Sequence, residues 1–492
     1  MTGWPAEPVI YEVNTAVWLE ALSGEAGRPV TLADVPPQAW DAVTPAGVDA
    51  VWLMGVWERS PAGLAVASTN AGLQASFREA LPDLRPGDVI GSPYCVRRYA
   101  VDPAFGGPAA LATARAALNS RGARLILDYV PNHVAPDHPW VTAAPELFIR
   151  GDAADVEADP AAWMAVDGQV LARGRDPYFP PWPDVLQLNA FSPATRAATA
   201  DTLAEIAAQC DGIRCDMAML MINDVFGRTW GTRAGQVSEE EFWPAVLEKL
   251  RARHPQVVLI AEAYWDLEWV LQQHGFDFCY DKRLYDRLIA GQVPEVREHL
   301  RAGLDYQSRL LRFLENHDEP RLAGRMARDA GMAAAVVVAA LPGATLWHEG
   351  QFEGRRVRPP VFLARRPDEP PDHELAAWYR RLLATVGGHR VRSGDWRLLE
   401  AAGWPDNQSC QNLLAWSWGG DPGSDRHVVV VNLSGQPAQA RIQLGWPDLP
   451  GRGWFLTDLL TDNVFTRDGG ELAGPGLFVD LGPWQSHLLA LW

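Results

Sequence analysis

The sequence predicts a (β/α)8 TIM barrel, with an irregular subdomain inserted after the third strand and an all-β sandwich domain at the C-terminus. Two observations carry this prediction. Before residue 390, short apolar segments alternate about eight times with helical segments, a pattern typical of a parallel sheet and, at this count, of a closed barrel. After about Gly388 the chain changes to short strand-like runs between Gly, Pro and Asp turns, which favours a sandwich.

The barrel strands are predicted from apolar runs. Several lack polar alternation, as expected of parallel strands that are covered on both faces. In chain order the predicted strands are 8–14, 48–54, 124–127, 211–216, 257–260, 276–280, 310–314 and 344–347.

Helical segments separate these strands. The start of one is marked by Ser192 before Pro193, because serine caps a helix and proline suits its first position. The segment 58–88 is rich in Gly, Pro and Ser and predicts a long loop. The predicted helices are 31–43, 108–120, 192–209, 239–253, 282–301, 332–341 and 372–383.

The predicted domain boundaries lie where the pattern of apolar and turn residues changes. Residues 1–133 and 190–390 are predicted to form the barrel, and residues 134–189, which lack periodicity, form the inserted subdomain. Residues 391–492 are predicted to form the C-terminal β sandwich, in which we expect no helix.

Composition and charge exclude several classes of partner. The chain has 492 residues, 48% of them hydrophobic, and a net charge of −18, which disfavours nucleic acid or an anionic membrane. The sequence shows no secretory signal and no apolar run long enough to cross a membrane. Its five scattered cysteines lack metal-type spacing, so we predict reduced thiols and a cytoplasmic location. The oligomeric state is left open.

Four carboxylates end or follow predicted strands: Asp128, Asp216, Glu262 and Asp318. The C-terminal ends of barrel strands face one mouth, so these side chains are predicted to converge. Arg214 lies two residues before Asp216, so both point to one face of a strand, where the cation is expected to keep the carboxylate ionised. An isolated ion pair at a strand end would be unremarkable. Four carboxylates behind four apolar runs favour a site.

The segments that carry these carboxylates resemble the four sequence signatures of the α-amylase family of glycoside hydrolases. They are Asp128-Tyr-Val-Pro-Asn-His133, Gly212-Ile-Arg-Cys-Asp216, Ile260-Ala-Glu-Ala263 and Phe313-Leu-Glu-Asn-His-Asp318, and they occur in the family's order. The long gap between the first two fits the family's extra domain after the third strand. Weaker family signatures are resembled at 47–53, 187–189 and 342–351.

The resemblance implies a retaining mechanism and a role for each residue. Asp216 would be the nucleophile, Glu262 the general acid and base, and Asp318 a hydrogen-bonding partner of two sugar hydroxyls. The implied substrate-binding residues are Tyr94, Asp128, His133, Arg214, His317 and Met217.

The resemblance implies no required cofactor. Calcium remains an option, because Asn132 matches one family ligand and Asp152, Asp155 and Asp159 could supply oxygen atoms. A solvated acidic loop is the alternative explanation of these aspartates, and no metal ligand is assigned.

The sequence departs from the family after the nucleophile. Many α-amylases carry Lys-His there, but this chain has Met219 and Leu220, and Met217 directly follows Asp216. We therefore predict an apolar acceptor side, which disfavours endo-amylase activity on polymers and would favour transfer to a sugar. The lack of a secretory signal predicts activity on α-linked glucosides or short oligosaccharides rather than on starch granules. The alternatives are a transglycosylase or sugar isomerase of the glucanotransferase or trehalose synthase type, with the same catalytic residues, and a non-catalytic sugar-binding relative.

Overall fold

Eight parallel strands close into a barrel, as predicted. The computed structural model describes residues 3–388, 391–420 and 425–492. The barrel order is β1-β8-β7-β6-β5-β4-β3-β2, and every neighbouring pair is parallel. The strands are β1 (Val9–Asn14), β2 (Ala50–Met54), β3 (Arg124–Tyr129), β4 (Gly212–Cys215), β5 (Val258–Ala261), β6 (Phe278–Tyr280), β7 (Leu310–Arg312) and β8 (Ala344–His348).

Both faces of the barrel sheet are buried, which explains the continuous apolar runs in the sequence. Side chains such as Ile10, Trp52 and Leu346 fill the interior, and neighbours such as Val13, Leu53 and Trp347 pack outward against the helices. The helices before residue 390 are Thr15–Ala26, Pro37–Val43, Pro61–Thr69, Ala71–Ala80, Gly107–Asn119, Trp140–Ala143, Ala153–Ala158, Pro193–Ala207, Asn223–Trp230, Phe242–Arg253, Glu268–Gln273, Lys282–Ile289, Val293–His299, Leu304–Gln307, Leu322–Arg325, Arg328–Ala340 and His373–Gly388.

The predicted loop at 58–88 is wrong. It contains the helices Pro61–Thr69 and Ala71–Ala80, joined at Asn70. The Ser60 hydroxyl accepts from the Gly63 N–H at 2.8 Å, and Pro61 takes the first helical position. Capping residues inside a Gly- and Pro-rich stretch therefore start helices here rather than loops.

Other helix predictions need smaller corrections. Helix Thr15–Ala26, capped by Asn14, was not predicted, and the helix expected at 31–43 begins only at Pro37. The helix expected at 282–301 is two helices, separated where Gly291 adopts a φ of 66°. A left-handed residue ends an α-helix, so one periodic stretch becomes two elements.

The segment between β3 and the helix Pro193–Ala207 contains more regular structure than expected. A hairpin pairs Trp163–Val166 with Gln169–Ala172, and its two turn residues, Asp167 and Gly168, both have positive φ. Asp-Gly favours this type of turn, so the sequence carried a hairpin signal. A second small ladder pairs His133–Val134 with Leu186–Gln187 and joins the two ends of the segment.

The chain after the barrel forms two antiparallel sheets. The larger has the order β9-β11-β12-β17-β14-β15 and the smaller β10-β13-β16. A five-residue helix, Gly469–Ala473, corrects the expectation of no helix. The strands are β9 (Trp396–Leu398), β10 (Ala401–Ala402), β11 (Leu413–Trp418), β12 (Arg426–Asn432), β13 (Ala438–Ile442), β14 (Gly453–Asp458), β15 (Val464–Asp468), β16 (Leu477–Leu481) and β17 (Ser486–Leu491).

The larger sheet is apolar on both faces. Val428 and Val430 face the smaller sheet, whereas Val429 and Val431 belong to the core shared with the barrel helices. Within residues 3–388, 391–420 and 425–492, no helix combines the length and apolarity that a membrane span requires. The five cysteines are buried free thiols.

Candidate active site

Arg214 on β4 lies at the centre of the carboxylates. Its side chain is fully buried; Nη1 donates to Asp216 Oδ1 at 2.8 Å, and Nη2 donates to Glu262 Oε2 at 2.6 Å. Asp216 directly follows β4 and Glu262 directly follows β5, so the parallel register brings both carboxylates to the same end of the barrel. The expectation that Arg214 and Asp216 point to one side is confirmed.

Glu262 accepts hydrogen bonds from three donors. Besides Arg214, the Met217 backbone N–H donates to Oε2 at 2.7 Å, and the Tyr264 hydroxyl donates to Oε1 at 2.8 Å. Met217 has a φ of 42°, a left-handed conformation that is uncommon for a residue other than glycine. The turn after the nucleophile candidate is therefore strained in a way that brings its N–H to Glu262.

The ionisation of Asp216 differs from our expectation. Burial raises the pKa of its carboxyl to about 8; Arg214 opposes the rise, and the charges of Glu262 and Asp318 add to it. The prediction that Arg214 keeps Asp216 ionised well below neutral pH is therefore wrong for the free site, because one cation serves two buried carboxylates.

Asp128 lies beside Arg214 in the strand register, within β3. Its Oδ2 accepts from the Gly55 N–H at 3.0 Å, and its Oδ1 lies 3.5 Å from Arg214 Nη1. Burial raises the pKa of Asp128, against the opposing effect of Arg214. The side chain is thus fixed at the edge of the same charge cluster.

His317 connects the rest of the predicted site. Its Nε2 lies 2.7 Å from the Tyr94 hydroxyl and 2.9 Å from Asp318 Oδ2, and its Nδ1 hydrogen-bonds to Glu12. The Tyr94 ring stacks on the His317 ring at a centroid distance of 5.4 Å and contacts the Arg214 guanidinium at 5.3 Å. The Tyr94 ring thereby links the Asp318 cluster to the Arg214 cluster.

His317 and Asp318 carry charges of opposite sign. Burial alone would lower the pKa of His317, but Asp318 and Glu12 outweigh it and raise the pKa well above its usual range. Partial burial disfavours ionised Asp318, yet the adjacent His317 lowers its pKa to about 2. The Asp318 side chain remains 44% exposed, which leaves it accessible to a ligand.

His133 lies at the rim of the site, next to the inserted segment. Its ring contacts the Trp182 ring at a centroid distance of 5.2 Å, and its Nδ1 is 3.3 Å from Asn132 Nδ2. Burial lowers the pKa of His133 to about 4, against the opposing effect of a hydrogen bond to the Tyr94 backbone. The imidazole is therefore neutral at neutral pH.

The prediction of an apolar acceptor side built from Met219 and Leu220 is wrong. Both lie in the 3-10 turn Ala218–Met221, at 0% and 2% exposure, inside the main hydrophobic core. The half-buried Tyr264 and Trp265, after Glu262, lie nearer the site, and the exposed Tyr178 of the inserted segment contacts Trp265 at 4.8 Å.

Sequence reasoning missed three contributors to the site: Glu12, Gly55 and Tyr264. Glu12 is a charged residue in the middle of an apolar strand, which is a signal of a buried function. Tyr264 follows Glu262 by two residues and so shares its side of an extended chain. Gly55 has a φ of 77°, and no pattern in the sequence marked its backbone as a donor.

The candidate calcium ligands are engaged in other contacts. Asn132 exchanges side-chain hydrogen bonds with Gln187, at 2.9 and 3.2 Å. Asp152 and Asp155 cap the helix Ala153–Ala158, and Asp159 accepts from two backbone N–H groups that follow it. In the described part of the chain, no group of three or more His, Cys, Asp or Glu residues is arranged to hold a metal ion. These residues do not fit a calcium site.

Comparison with known proteins identifies relatives in sequence and in fold. No family model matches the chain. The alpha-amylase MalA of Haloarcula japonica is 24% identical over 456 residues, which are 90% of this chain and 58% of the relative. The chain therefore spans just over half of that relative's length.

Solved structures share the whole architecture. A maltogenic alpha-amylase from Thermotoga neapolitana has a TM-score of 0.69 and 18% identity, with 99% of this chain and 98% of that chain covered. An alpha-amylase from Lactobacillus plantarum has a TM-score of 0.67 and 20% identity, with 99% of each chain covered. An alpha-amylase from Geobacillus thermoleovorans, solved with acarbose, has a TM-score of 0.66 and 17% identity, with 100% and 99% covered.

These likenesses agree with what the four segments indicated. The barrel with its trailing β domain is the fold of the solved alpha-amylases, and the sequence match extends over most of the chain. The resemblance to the α-amylase family of glycoside hydrolases is therefore confirmed in fold and in sequence.

Proposed function

We propose that the chain is a retaining α-glycoside hydrolase that acts on α-linked glucosides or short oligosaccharides. The observation that carries the proposal is the position of Arg214 between Asp216 and Glu262, at 2.8 and 2.6 Å. One guanidinium holds both carboxylates on the same side of the barrel mouth. This arrangement supports the separation of about 5–5.5 Å between carboxyl groups that a covalent intermediate requires.

In the proposed reaction Glu262 donates a proton to the leaving oxygen, while Asp216 attacks the anomeric carbon and forms a glycosyl ester. Glu262 then takes a proton from water, which attacks the same carbon and releases Asp216. Because Arg214 contacts both groups, its charge stabilises whichever carboxylate is ionised.

The remaining residues would bind the sugar. Asp318, exposed at the mouth, would accept from two hydroxyl groups, and Tyr94 would provide an aromatic face for the ring. Asp128, His133 and His317 would donate to or accept from neighbouring hydroxyls. Met217 would act mainly through its backbone N–H on Glu262. No step of this reaction uses a cofactor.

The relatives support the proposed substrate class. They are alpha-amylases and a maltogenic alpha-amylase, and one was solved with acarbose. A cyclic α-maltosyl-(1→6)-maltose hydrolase from Arthrobacter globiformis shares the fold, with a TM-score of 0.63. We therefore propose an α-glucan-derived substrate for this chain. Met219 and Leu220 are buried, so these two side chains do not form an apolar acceptor side that would favour a transglycosylase or an isomerase. The cytoplasmic location stays a prediction.

The test is turnover of α-linked disaccharides and short maltodextrins, followed by NMR. We expect free glucose or short maltooligosaccharides, with the α-anomer formed first, because two inversions retain configuration. Asp216→Asn should reduce kcat by about 10⁴-fold or more, since it removes the nucleophile. Asp224→Asn is the control, because Asp224 is exposed and its carboxylate pairs with Arg228 at the surface.

Three outcomes would contradict the proposal. Retained turnover in Asp216→Asn would exclude that residue as the nucleophile. New linkages without net hydrolysis would identify a transglycosylase or isomerase, and binding of maltodextrins without any product would identify a sugar-binding protein.

A further inference from the structure

A buried carboxylate outside the four family segments contacts the site. Glu12 lies in the middle of β1 at 0% exposure, although every other residue of that strand except Asn14 is apolar. Its Oε1 hydrogen-bonds to His317 Nδ1, and its Oε2 is buried with no hydrogen-bond partner among the described residues. A buried carboxylate is costly unless a cation compensates it, so Glu12 depends on His317.

His317 has contacts on both ring nitrogens. Opposite Glu12, Nε2 is within hydrogen-bonding distance of Asp318 Oδ2, at 2.9 Å, and of the Tyr94 hydroxyl, at 2.7 Å. An ionised aspartate only accepts hydrogen bonds, so Nε2 must carry a proton to bind Asp318. Nδ1 must also carry one to bind Glu12. A His317 ring protonated on both nitrogens can therefore donate to both carboxylates, whereas a neutral ring can donate to only one of them.

The packing around His317 holds the ring in this position. Trp52 on β2 contacts it edge-on at 5.4 Å, and Tyr94 stacks on its face. The titratable groups that face it come from several elements. They are Glu12 on β1, Tyr94 in the loop after β2, Asp128 on β3, Asp318 after β7 and His348 on β8.

Two of these neighbours, His348 and Asp128, do not supply the negative charge that balances His317. Burial lowers the pKa of His348 well below its usual range, so this ring is neutral. Asp128 is already opposed by Arg214 at 3.5 Å. Glu12 is therefore the buried carboxylate that balances His317 from the side away from the substrate.

We propose that Glu12 is a positioning residue of the site: it orients the His317 ring and balances its charge, so that Nε2 holds Asp318 and Tyr94 where they meet the sugar. This inference rests on the proposed function for its kinetic consequence, but not for its structural one. Glu12 itself does not touch the substrate, because His317 lies between them.

The test compares the wild-type chain with Glu12→Gln. Glutamine keeps the shape and can still accept from Nδ1, but it carries no charge. The pKa of His317 should then fall, because only Asp318 is left to oppose the effect of burial, and at pH 7.5 Nε2 would lack a hydrogen for Asp318. We expect kcat/KM at pH 7.5 to fall by about 10- to 100-fold, the loss seen when the hydrogen-bonding partner of a metal-binding histidine is removed. The loss should shrink as the pH falls towards 5, because His317 is protonated again.

The ionisation of His317 is measured directly by ¹H–¹⁵N NMR of the histidine side chains. The His317 signal is assigned by its absence in His317→Gln. We expect both nitrogens to be protonated at pH 7.5 in the wild type and one in Glu12→Gln. This readout does not require turnover, so it tests Glu12 even if the wild-type chain hydrolyses no glucoside and the proposed function fails.

Asp281→Asn is the matched control. Asp281 is also a buried carboxylate bonded to a histidine, 3.0 Å from His299 Nε2, and it pairs with Arg312 at 3.2 Å. It lies after β6, away from the His317 cluster. It should lower thermal stability without changing the pH profile of kcat/KM.

Two results would overturn the proposal. One is a neutral His317 at pH 7.5 in the folded wild type; the other is a folded Glu12→Gln with the wild-type pH profile. If Glu12→Gln does not fold, Glu12→Asp replaces it in the kinetic assay. The shorter carboxylate should draw His317 away from Asp318 and lower kcat/KM, and an unchanged kcat/KM would overturn the role.

Discussion

Among single residues, Glu262 shows how a candidate acid and base is fixed by its surroundings. Its two oxygens accept from Arg214, from the Met217 backbone and from the Tyr264 hydroxyl. The three donors come from β4, from the turn after it and from the chain after β5. Since hydrogen bonds to a charged group are stronger than neutral ones, the position of Glu262 is determined more tightly than that of the exposed Asp318.

Tyr264→Phe tests this arrangement, because it removes only the donor to Glu262 Oε1 and keeps the ring. We expect kcat to fall by about tenfold, which corresponds to about 1.4 kcal/mol, with little change in thermal stability. Steady-state kinetics and differential scanning calorimetry measure the two effects. Tyr306→Phe is a control at a tyrosine outside the site. An unchanged kcat in Tyr264→Phe would show that the hydroxyl has no part in positioning Glu262.

The identity of the site residues was readable in the sequence, but their partners were not. Asp216, Glu262 and Asp318 each follow a barrel strand within a recognisable segment. Glu12 lies 305 residues before His317, and only the closure of β1 onto β8 and β2 brings it to the site. The raised pKa of Asp216 likewise depends on burial, which spacing alone does not reveal.

Among the secondary-structure elements, β8 shows how the position of a short strand depends on the residue that precedes it. Gly343 precedes β8 with a φ of 91°, and a Cβ there would lie 2.4 Å from the Leu310 carbonyl oxygen and 2.8 Å from that of Gln307. Both oxygens are backbone atoms, so they cannot move without shifting β7 or the short helix Leu304–Gln307 before it. The close approach of β7 and β8 therefore requires glycine.

Gly343→Ala should lower the free energy of unfolding by roughly 2–4 kcal/mol, because it combines a left-handed φ with a clash against backbone. Gly27→Ala is the matched control: Gly27 has a φ of 63° after the helix Thr15–Ala26, with open space around its Cβ direction. That change should cost only about 1 kcal/mol. Urea denaturation measures both, and equal losses would contradict the role of the clash.

The wrong secondary-structure predictions also have a physical explanation. In the stretch 58–88 the sequence showed helix breakers, but Ser60 and Asn70 use their side chains as caps, and the helices stay short. Conversely, Leu375, Tyr379, Leu382 and Leu383 form a clear apolar stripe, and their helix was predicted correctly. Periodicity therefore identified long elements better than short ones.

In the whole molecule, the C-terminal sheets are attached to the barrel through an apolar contact. The indole N–H groups of Trp416 and Trp418 on β11 both donate to the Ala340 carbonyl, at 3.0 and 2.8 Å. Ala340 ends the helix Arg328–Ala340, where carbonyl groups lack partners within the helix. The C-terminal domain thereby satisfies one end of a barrel helix and covers its apolar surface.

Trp418→Ala should reduce the free energy of unfolding by about 3–5 kcal/mol, since it removes a ring that is 3% exposed and a hydrogen bond across the contact. The candidate active site is on other strands, so kcat at 25 °C should remain unchanged. Trp492→Ala is the control, because Trp492 is 64% exposed. Calorimetry and steady-state kinetics check the prediction, and a lower kcat with an unchanged thermal midpoint would contradict it.

The sequence by itself determined the barrel, the β domain after it and the residue types of the site, because strand periodicity and family segments are local properties of the chain. Only the tertiary structure decided which of these groups touch. It placed Met219 and Leu220 in the core, brought Tyr264 onto Glu262 and joined Glu12 to His317. Contacts between distant strands, and the burial that shifts the ionisation of Asp216, arise only when the barrel closes.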